Sequence, residues 1–304
     1  MSTAPIVVGI DAGASKTRAF AVDRAGTVVG RGAGGGGNLL TSPDPQGAIA
    51  AALAEALGGR AADAVVLSCA GGDREVERTR GREILVRFAP PGAKLLVTHD
   101  AIAALYAGNP SGSGVVLISG TGSIAYGRNE EGEEDRAGGW GYLIGDEGSA
   151  VWCGLEALRA ISHAVDGRGA PTRMTALLYQ QLGVGEFSDV LPHVYGRPHP
   201  APAIGAAVRA LSNASAQGDA IANAILQRGA NALARAASVV AFTIGLPAGP
   251  VYLAGGAFET LPLLQRLVQL DLLSLLPQAS VEPVREEPAM GAARLAAALA
   301  WSSR

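Results

Sequence analysis

The sequence is poor in the residues that mark several classes of protein. It has only two cysteines, Cys69 and Cys153, and neither stands in a CxxC pair, so no disulfide scaffold and no zinc or iron–sulfur ligand set is predicted. Both are interpreted as buried, reduced thiols. Basic and acidic side chains number 24 and 27, which gives a net charge of −3, and no basic run occurs. This balance disfavours a nucleic-acid partner.

Unbroken apolar runs and export signals are also missing. The uncharged run 236–258 is interrupted by Gly245, Pro247, Gly249 and Pro250. It therefore predicts a helix, a turn and a strand, since a membrane span needs about 20 apolar residues without such breaks. Residues 1–5 have neither a basic segment nor an apolar core, so no export signal and a cytoplasmic location are predicted, with no membrane partner. The 304 residues predict two domains, at roughly 150 residues each.

What the chain has in abundance is glycine, with 42 residues that cluster at the ends of short apolar runs. A buried strand followed by a glycine turn is predicted three times, at Asp11, Gly120 and Gly255. In open α/β sheets, ligands bind beyond the carboxyl ends of the strands. The repeated device therefore predicts two similar α/β domains that face one cleft, with residues 109–114 as the linker.

Local patterns predict the individual elements. Strands are expected at 6–10, 17–23, 27–31, 64–68, 94–98, 115–119, 123–127 and 251–254, with a charged turn at 128–136. Helices are expected at 47–57, 74–88, 101–107, 149–165, 218–244, 261–275 and 289–301.

The hairpin 11–17 is the first candidate for phosphate binding. It is not a Walker A loop, because Ser15 stands where glycine should precede Lys16. The glycine run 32–37 satisfies GxGxxG but does not lead into a helix, so it does not predict a dinucleotide site. A tight turn with amides and hydroxyls can still hold phosphate oxygens, and Asp11 can hold Mg²⁺ through water. The alternative is an ordinary polar hairpin with a solvated Lys16.

Asp100 is the candidate catalytic group. It stands where a predicted strand ends and a helix begins, and a helix N-terminus favours an ionised carboxylate. Such a carboxylate can accept the proton of an attacking hydroxyl in phosphoryl transfer. The alternative is that Asp100 is simply the N-cap of the helix. The neighbouring His99 is interpreted as structural.

A second set of turns follows the linker. Gly120 to Ser123 form a second possible phosphate turn, and glycine-rich segments at 138–142 and 145–149 lead into a helix. Trp140 is either a stacking face for a sugar or a core residue. Asp146 and Glu147 either bind hydroxyls or only favour the helix start.

In combination these motifs resemble the N-acetylglucosamine kinase-like family, also called the BadF/BadG/BcrA/BcrD ATPase family, of the actin/sugar-kinase/Hsp70 superfamily. The resemblance covers residues 7–299 and is carried by VVGIDAGASKT, VTHDAIAAL, GVVLISGTGSIAYG, GGWGYLIGDEGSA, VYLAGGA and PAMGAARLA. It implies two ribonuclease H-like (actin-like ATPase) α/β domains flanking a central cleft. The implied N-terminal domain is 1–108 with a C-terminal helix at about 288–304 packed back on it, and the other domain is 109–287. It also implies a homodimer.

The resemblance assigns roles to individual residues, with Asp100 as the catalytic base and Mg²⁺ and ATP as cofactor and co-substrate. Phosphate and ATP binding would fall to Asp11, Gly13, Ser15, Lys16, Thr17, Gly120, Thr121, Gly122, Ser123, Gly255 and Gly256, with Asp11 at the metal. Sugar contacts would come from Asn38, Asp100, Trp140, Gly141 and Asp146. The chain departs from the family pattern at Ala12, Ala14 and Ser15 in the first loop, at Ala70 and at His99.

The sequence thus predicts an ATP-dependent kinase of an amino sugar or hexose, with N-acetylglucosamine or glucosamine phosphorylated at the 6-hydroxyl. One alternative is an ATPase that activates a reductase or dehydratase, which would need cysteines to hold a cluster. Another is a sugar or nucleotide sensor without catalysis, against which the carboxylates Asp11, Asp100 and Asp146 and the hydroxyl of Thr121 argue. A zinc-containing repressor/kinase type is disfavoured because its cysteine cluster is missing.

Overall fold

The structure is a computed structural model that describes residues 4–13, 15–72, 74–196 and 201–301. The chain divides into two compact units. Unit 1 comprises Met1–Ser113 and Val284–Arg304, and unit 2 comprises Gly114–Pro283. The sequence places the corresponding boundaries after residues 108 and 287. Unit 1 is therefore built from both ends of the chain, and unit 2 is inserted between them.

The elements are named in chain order. The strands are β1 Ile6–Ala12, β2 Thr17–Asp23, β3 Val28–Gly34, β4 Ala64–Cys69, β5 Lys94–His99, β6 Gly114–Ser119, β7 Ser123–Arg128, β8 Glu134–Gly138, β9 Val251–Ala254 and β10 Val281–Pro283. The helices are α1 Pro45–Leu57, α2 Glu75–Phe88, α3 Asp100–Gly108, α4 Ala150–Val165, α5 Met174–Leu182, α6 Leu191–Tyr195, α7 Ala201–Ala216, α8 Ala220–Thr243, α9 Gly256–Thr260, α10 Pro262–Leu275 and α11 Pro288–Trp301. A short 3₁₀ turn, Phe187–Val190, precedes α6.

Unit 1 is a five-stranded sheet in the order β3-β2-β1-β4-β5 with helices on both faces. The first three strands are antiparallel, and β4 and β5 run parallel to β1. One face packs on α1 and α2 through side chains such as Ile49, Leu53 and Leu85. The other packs on α3 and α11, where alanines such as Ala103 and Ala293 allow close approach. Because both faces are covered, β1 and β4 are almost entirely buried.

Unit 2 repeats this topology with a sheet in the order β10-β9-β6-β7-β8. Read from the other edge, β8, β7 and β6 correspond to β3, β2 and β1, and β9 and β10 correspond to β4 and β5. Its core is larger, because α4, α5, α7, α8 and α10 contribute side chains such as Ile161, Leu211 and Leu233. The predicted α/β class with two similar sheet-based units is confirmed.

The predicted charged turn at 128–136 is partly wrong. The turn is short and is held by Asn129, whose side-chain oxygen accepts the Glu133 N–H at 2.8 Å. Residues from Glu134 onward then form β8, which pairs with β7. Its charged residues fit an outer edge strand, where charge discourages pairing with other chains. Charge density alone did not distinguish an edge strand from a turn.

Two predictions drawn from composition can be compared with the structure. Cys69 and Cys153 are both buried thiols outside any disulfide, as predicted. Burial raises the pKa of the Cys153 thiol to about 12, so this sulfur is a poor nucleophile. Across the described ranges, no helix has both the length and the apolar character needed to cross a bilayer.

Candidate active site

The hairpin between β1 and β2 forms the first predicted phosphate turn. Its two strands pair up to Ala12 and Thr17, and the Gly13 N–H donates to the Lys16 carbonyl at 3.0 Å. Ser15 and Lys16 are exposed at the tip, whereas Asp11 is half-buried at the end of β1. The turn therefore offers an amine, a hydroxyl and a carboxylate within a few residues.

The glycine run after β3 folds against this hairpin. The N–H groups of Gly37 and Asn38 both donate to the Gly13 carbonyl, at 2.9 and 3.1 Å. The Thr17 hydroxyl donates to the Gly35 carbonyl at 2.9 Å, and Thr17 is fully buried. A Cβ at position 37 would lie 2.4 Å from the Thr17 hydroxyl oxygen, so this contact requires glycine. Thr17, predicted as a phosphate ligand, has its hydroxyl engaged in joining the hairpin to the next loop.

The surroundings of Asp11 disfavour the charged form of its carboxyl group. Burial is the largest cause that raises its pKa, the Asp100 carboxylate and Glu287 add to it, Lys16 opposes it, and the resulting pKa is about 7. A half-buried carboxylate beside other carboxylates is stabilised by a cation. Sequence reasoning missed Glu287, which lies directly before α11 and pairs with Arg18 and Arg31 at 4.0 and 3.9 Å. Its position in front of the PAMGAARLA motif was the available signal.

Asp100 is the first residue of α3, and its interpretation as the N-cap is wrong. The cap is His99, whose Nδ1 accepts the Ile102 N–H at 3.3 Å, so the structural interpretation of His99 fits. A carboxylate in the first helical turn is favoured in its ionised form by the helix dipole. Because β1, β4 and β5 are parallel, Asp11 and Asp100 come to the same edge of the sheet.

Asn38 has a defined orientation. Its side-chain oxygen accepts the Leu40 and Thr41 N–H groups at 2.9 and 3.1 Å, which fixes the oxygen toward the backbone. The Nδ2 amide then points away from these donors and can donate to a ligand. Asn38 is half-buried, between the phosphate hairpin and α1 in the sequence.

The second predicted phosphate turn, between β6 and β7 in unit 2, is braced by the glycine-rich loop that precedes α4. The Gly120 N–H donates to the Gly122 carbonyl at 2.9 Å. The hydroxyls of Ser119 and Ser123 donate to the carbonyls of Gly148 and Glu147, at 2.8 and 3.0 Å. Thr121 is exposed at the tip of the turn. Ser123, predicted as a phosphate ligand, thus connects the turn to the loop.

Asp146 connects the same turn to the segment 138–142. Only 8 % of its surface is exposed, and its φ of 58° is unusual for a residue other than glycine. Burial raises the pKa of Asp146, and hydrogen bonds from the Ser123 and Gly141 N–H groups oppose this. The Gly141 bond is 3.3 Å long, and a Cβ at Gly122 would lie 2.7 Å from the Asp146 carboxylate. Asp146 therefore holds the phosphate turn and the predicted sugar loop together.

The turn after β9 lies against the second phosphate turn. Gly255 has a φ of 105°, and a Cβ there would lie 2.2 Å from the Ser119 carbonyl oxygen. Gly256 begins α9. The structure thus brings the two predicted nucleotide turns of unit 2 together, in contact through backbone atoms.

Trp140 is not a core residue, since 63 % of its surface is exposed. The Arg136 guanidinium lies 5.1 Å from the centre of the indole ring. Gly141 and Glu147 are exposed as well. The indole thus has the exposure that a stacking surface for a ligand requires.

The predicted site residues fall into two groups. Unit 1 holds Asp11, Gly13, Ser15, Lys16, Thr17, Asn38 and Asp100, and unit 2 holds Gly120, Thr121, Gly122, Ser123, Trp140, Gly141, Asp146, Gly255 and Gly256. Depressions of about 250 Å³ between α2 and β5 and about 330 Å³ between α10 and β10 are lined by none of them.

Comparison with known proteins shows the family of the chain. The model of the BadF/BadG/BcrA/BcrD ATPase family matches residues 8–296, which include every predicted site residue. The chain belongs to this family. The resemblance noted from the sequence motifs is thereby confirmed.

The chain is also similar to characterised sugar kinases. It is 30 % identical over 235 residues to the N-acetylmuramic acid/N-acetylglucosamine kinase of Clostridium acetobutylicum, covering 77 % of this chain and 76 % of the relative. It is 32 % identical over 237 residues to the N-acetyl-D-glucosamine kinase of Dictyostelium discoideum, covering 76 % and 74 %. The predicted class of enzyme, an ATP-dependent sugar kinase, is confirmed by these relatives.

Solved structures show the same fold. A Chromobacterium violaceum protein with a provisional assignment as an N-acetylglucosamine kinase matches with a TM-score of 0.76 and 25 % identity, covering 96 % of this chain and 99 % of that one. A ROK family glucokinase from Streptomyces griseus matches with a TM-score of 0.61 and 18 % identity, covering 95 % and 98 %.

Proposed function

We propose that the protein transfers the γ-phosphoryl group of ATP to the 6-hydroxyl of an amino sugar, with N-acetylglucosamine or glucosamine as the acceptor. The observation that carries the proposal is the pairing of Asp11 and Asp100 at one sheet edge of unit 1, close enough for Asp100 to raise the pKa of Asp11. One of these carboxylates belongs to a phosphate-type hairpin and the other opens a helix. The names of the two curated relatives, both of which include N-acetylglucosamine, support an amino sugar as the acceptor.

Asp100 acts as the general base. Its carboxylate accepts the proton of the attacking sugar hydroxyl, and the hydroxyl oxygen forms a bond to the γ-phosphorus of ATP. The bond between that phosphorus and the β–γ bridging oxygen breaks, and ADP leaves with the electron pair. Most of the rate enhancement in such a transfer comes from positioning and from stabilisation of charge on the phosphoryl oxygens.

The residues at the hairpin fit a magnesium ion bound together with ATP. Mg²⁺ favours one or two carboxylates, with water and phosphate oxygens as the other ligands. Asp11 offers such a carboxylate, held through water, and its pKa is raised first by burial and then by the nearby Asp100 carboxylate. The ion would neutralise charge on the phosphates. In the described part of the chain, no three His, Cys, Asp or Glu side chains form a metal cluster of their own.

Nucleotide-binding roles are proposed for the turns of each unit separately. Gly13, Ser15 and Lys16 would bind phosphate oxygens from unit 1, with Thr17 holding the hairpin in shape. From unit 2, backbone amides of the Gly120–Ser123 turn would bind phosphate, and Gly255 and Gly256 would lie on the adenosine side. The exposed tips at Lys16 and Thr121 support these roles.

For the sugar, we propose that the Asn38 amide donates to a hydroxyl and that Trp140 stacks on the ring. Gly141 would approach the sugar through its backbone. Asp146 is proposed as a sugar contact whose geometry depends on the two N–H groups that hold its carboxylate. We also propose that the protein is a cytoplasmic homodimer. The use of ATP and two buried cysteines outside any disulfide support the location, and the mass of the purified protein in solution would test the homodimer.

The first experiment is ADP release with Mg²⁺–ATP across N-acetylglucosamine, glucosamine, N-acetylmuramic acid, glucose and mannose, each beside a blank without sugar. Strong stimulation by an amino sugar supports the proposal and identifies the acceptor. Release without sugar would favour an activator ATPase instead. No release, together with binding of a sugar or nucleotide, would favour a sensor.

Asp100→Asn tests the catalytic assignment. The amide is nearly isosteric but cannot accept the proton, so we expect sugar-dependent turnover to fall by roughly 10²–10⁴-fold. Binding of a fluorescent ATP analogue and the melting temperature should stay at the wild-type level. Turnover close to wild type in this variant would refute the role of Asp100.

A further inference from the structure

Arg80 lies on α2, outside every motif that the sequence resemblance uses. Its guanidinium Nη1 donates to the carbonyl of Leu39, which is 41 positions earlier in the chain. Leu39 directly follows Asn38, the proposed sugar donor. Arg80 thus contacts the backbone of the loop that carries a proposed substrate contact, although it is distant in sequence.

The loop is held at three points. The Asn38 N–H donates to the Gly13 carbonyl, and the Asn38 side-chain oxygen accepts the Leu40 and Thr41 N–H groups. The Leu39 side chain is completely buried in the core of unit 1. The third point is the guanidinium of Arg80, which donates to the Leu39 carbonyl.

Helix α2 is itself a firm support for Arg80. The adjacent Gly81 lies against β5, where a Cβ would be 2.9 Å from a Val97 methyl carbon. Among the described residues no carboxylate forms an ion pair with Arg80, and its guanidinium bonds to the Leu39 carbonyl. Hydrogen bonds from a charged donor to a carbonyl are stronger than bonds between neutral groups.

We propose that Arg80 is a positioning residue for the acceptor sugar. By holding the Leu39 carbonyl, it fixes the direction in which Asn38 presents its Nδ2 amide. The sugar hydroxyl then meets a donor whose orientation is set before binding, which lowers the entropy lost on binding. This inference rests on the proposed kinase function. Arg80 does not touch the reacting atoms, so its loss affects acceptor binding more than the chemical step.

The test uses Arg80→Met, which removes the guanidinium but keeps an unbranched apolar stem and a similar helix propensity. Arg82→Met is the matched control, since Arg82 is an exposed arginine two positions further along α2 whose side chain bonds to none of the described residues. Arg80→Lys keeps a charged donor and should partly restore the wild-type behaviour. We expect Arg80→Met to raise the KM for the sugar by about tenfold, with a smaller change in kcat and in the KM for ATP.

Amide hydrogen exchange in the protein without ligand supplies a second readout that does not depend on activity. Arg80→Met should speed exchange at Leu40, Thr41 and Ser42, whose N–H groups bond to Asn38. Faster exchange together with the selective rise in sugar KM supports the proposal. An unchanged sugar KM, or equal effects on sugar and ATP that Arg82→Met reproduces, overturns it. Failure of the kinase function itself is visible separately, as absence of sugar-stimulated ADP release in the wild type.

Discussion

At the scale of single residues, Asp11 is the proposed magnesium-binding carboxylate, and its charged form lowers the stability of the folded protein. Its folded pKa of about 7 lies above the ordinary value of 3.8. Between these pH values the folded state binds more protons at this site than the unfolded state does. Stability from this residue is therefore greatest at low pH and is lost as the pH rises toward and through 7.

Asp11→Asn should consequently stabilise the protein without ligand at pH 8, by on the order of 1–3 kcal/mol, because the amide need not be buried as a charge. The gain should shrink as the pH falls from 7 toward 4 and vanish below the ordinary pKa of 3.8, where the wild-type carboxyl is protonated in both states. Urea unfolding at several pH values measures this, with Asp135→Asn in β8 as a control for the loss of a carboxylate elsewhere. Binding of Mg²⁺–ATP should weaken in Asp11→Asn.

A gain that does not depend on pH would contradict the assigned cause, which is burial of the charged form near other carboxylates. A loss of stability at pH 8 would contradict it more directly. The same experiment distinguishes Asp11 from an ordinary hairpin aspartate, for which neutralisation should have little effect.

The sequence could reveal Asp11 and Asp100 because each stands at a local junction, where a strand ends in a turn or a helix begins. It could not reveal the contacts of Arg80 or Glu287, because these contacts join distant positions of the chain, and only the place of Glu287 before a motif marked it for attention. Asp146 was a candidate from its motif, but its positive φ and its two N–H partners depend on how the loop packs on the turn. Tertiary contacts of this kind leave no local pattern.

At the scale of elements, buried strands and amphipathic helices were predictable because their apolar residues follow the period of the structure. The edge strands β8 and β10 were missed, the first because it is charged and the second because it has only three residues. Helices α5, α6 and α7 lie in a region for which no element was predicted. These helices contribute to the larger core of unit 2.

The junction between β9 and α9 supplies a prediction at this scale. Gly255→Ala would place a Cβ 2.2 Å from the Ser119 carbonyl oxygen at a φ of 105°, so both the turn and β6 must shift. We expect a loss of about 2 kcal/mol or more in the free energy of unfolding. Gly256→Ala is the matched control, because no atom lies within 4 Å of its added Cβ and the position is helical. The control should be neutral or slightly stabilising.

Thermal unfolding of the two alanine variants measures this difference directly. Similar melting temperatures for both would mean that the turn after β9 does not lie against the Gly120 turn as described. A nucleotide-binding measurement on the same samples then shows whether the turn's shape matters for the proposed adenosine side.

At the scale of the whole molecule, the two sheets have the same strand order, yet the chain completes unit 1 only at its C-terminal part. Helix α11 covers both elements that present the proposed active-site carboxylates. A Cβ at Gly9 of β1 would lie 1.9 Å from the Ala293 nitrogen, and one at Gly291 of α11 would lie 1.8 Å from the Ala103 carbonyl oxygen of α3. β1 ends with Asp11 and Ala12, and α3 begins with Asp100. The last helix therefore fixes the backbones on which both carboxylates stand.

Gly291→Ala should in consequence affect both stability and activity. The added methyl group would overlap the backbone of α3, so α11 and α3 must separate. We expect the free energy of unfolding of unit 1 to fall by about 2 kcal/mol or more. Gly205→Ala in α7 is the matched control, since its nearest atom is an Arg209 side-chain nitrogen at an ordinary 3.5 Å. Calorimetry should show a lower transition for unit 1 in Gly291→Ala, and kcat should fall because Asp100 moves with α3. If kcat stays at the wild-type value while the transition drops, α11 stabilises unit 1 without positioning its catalytic base.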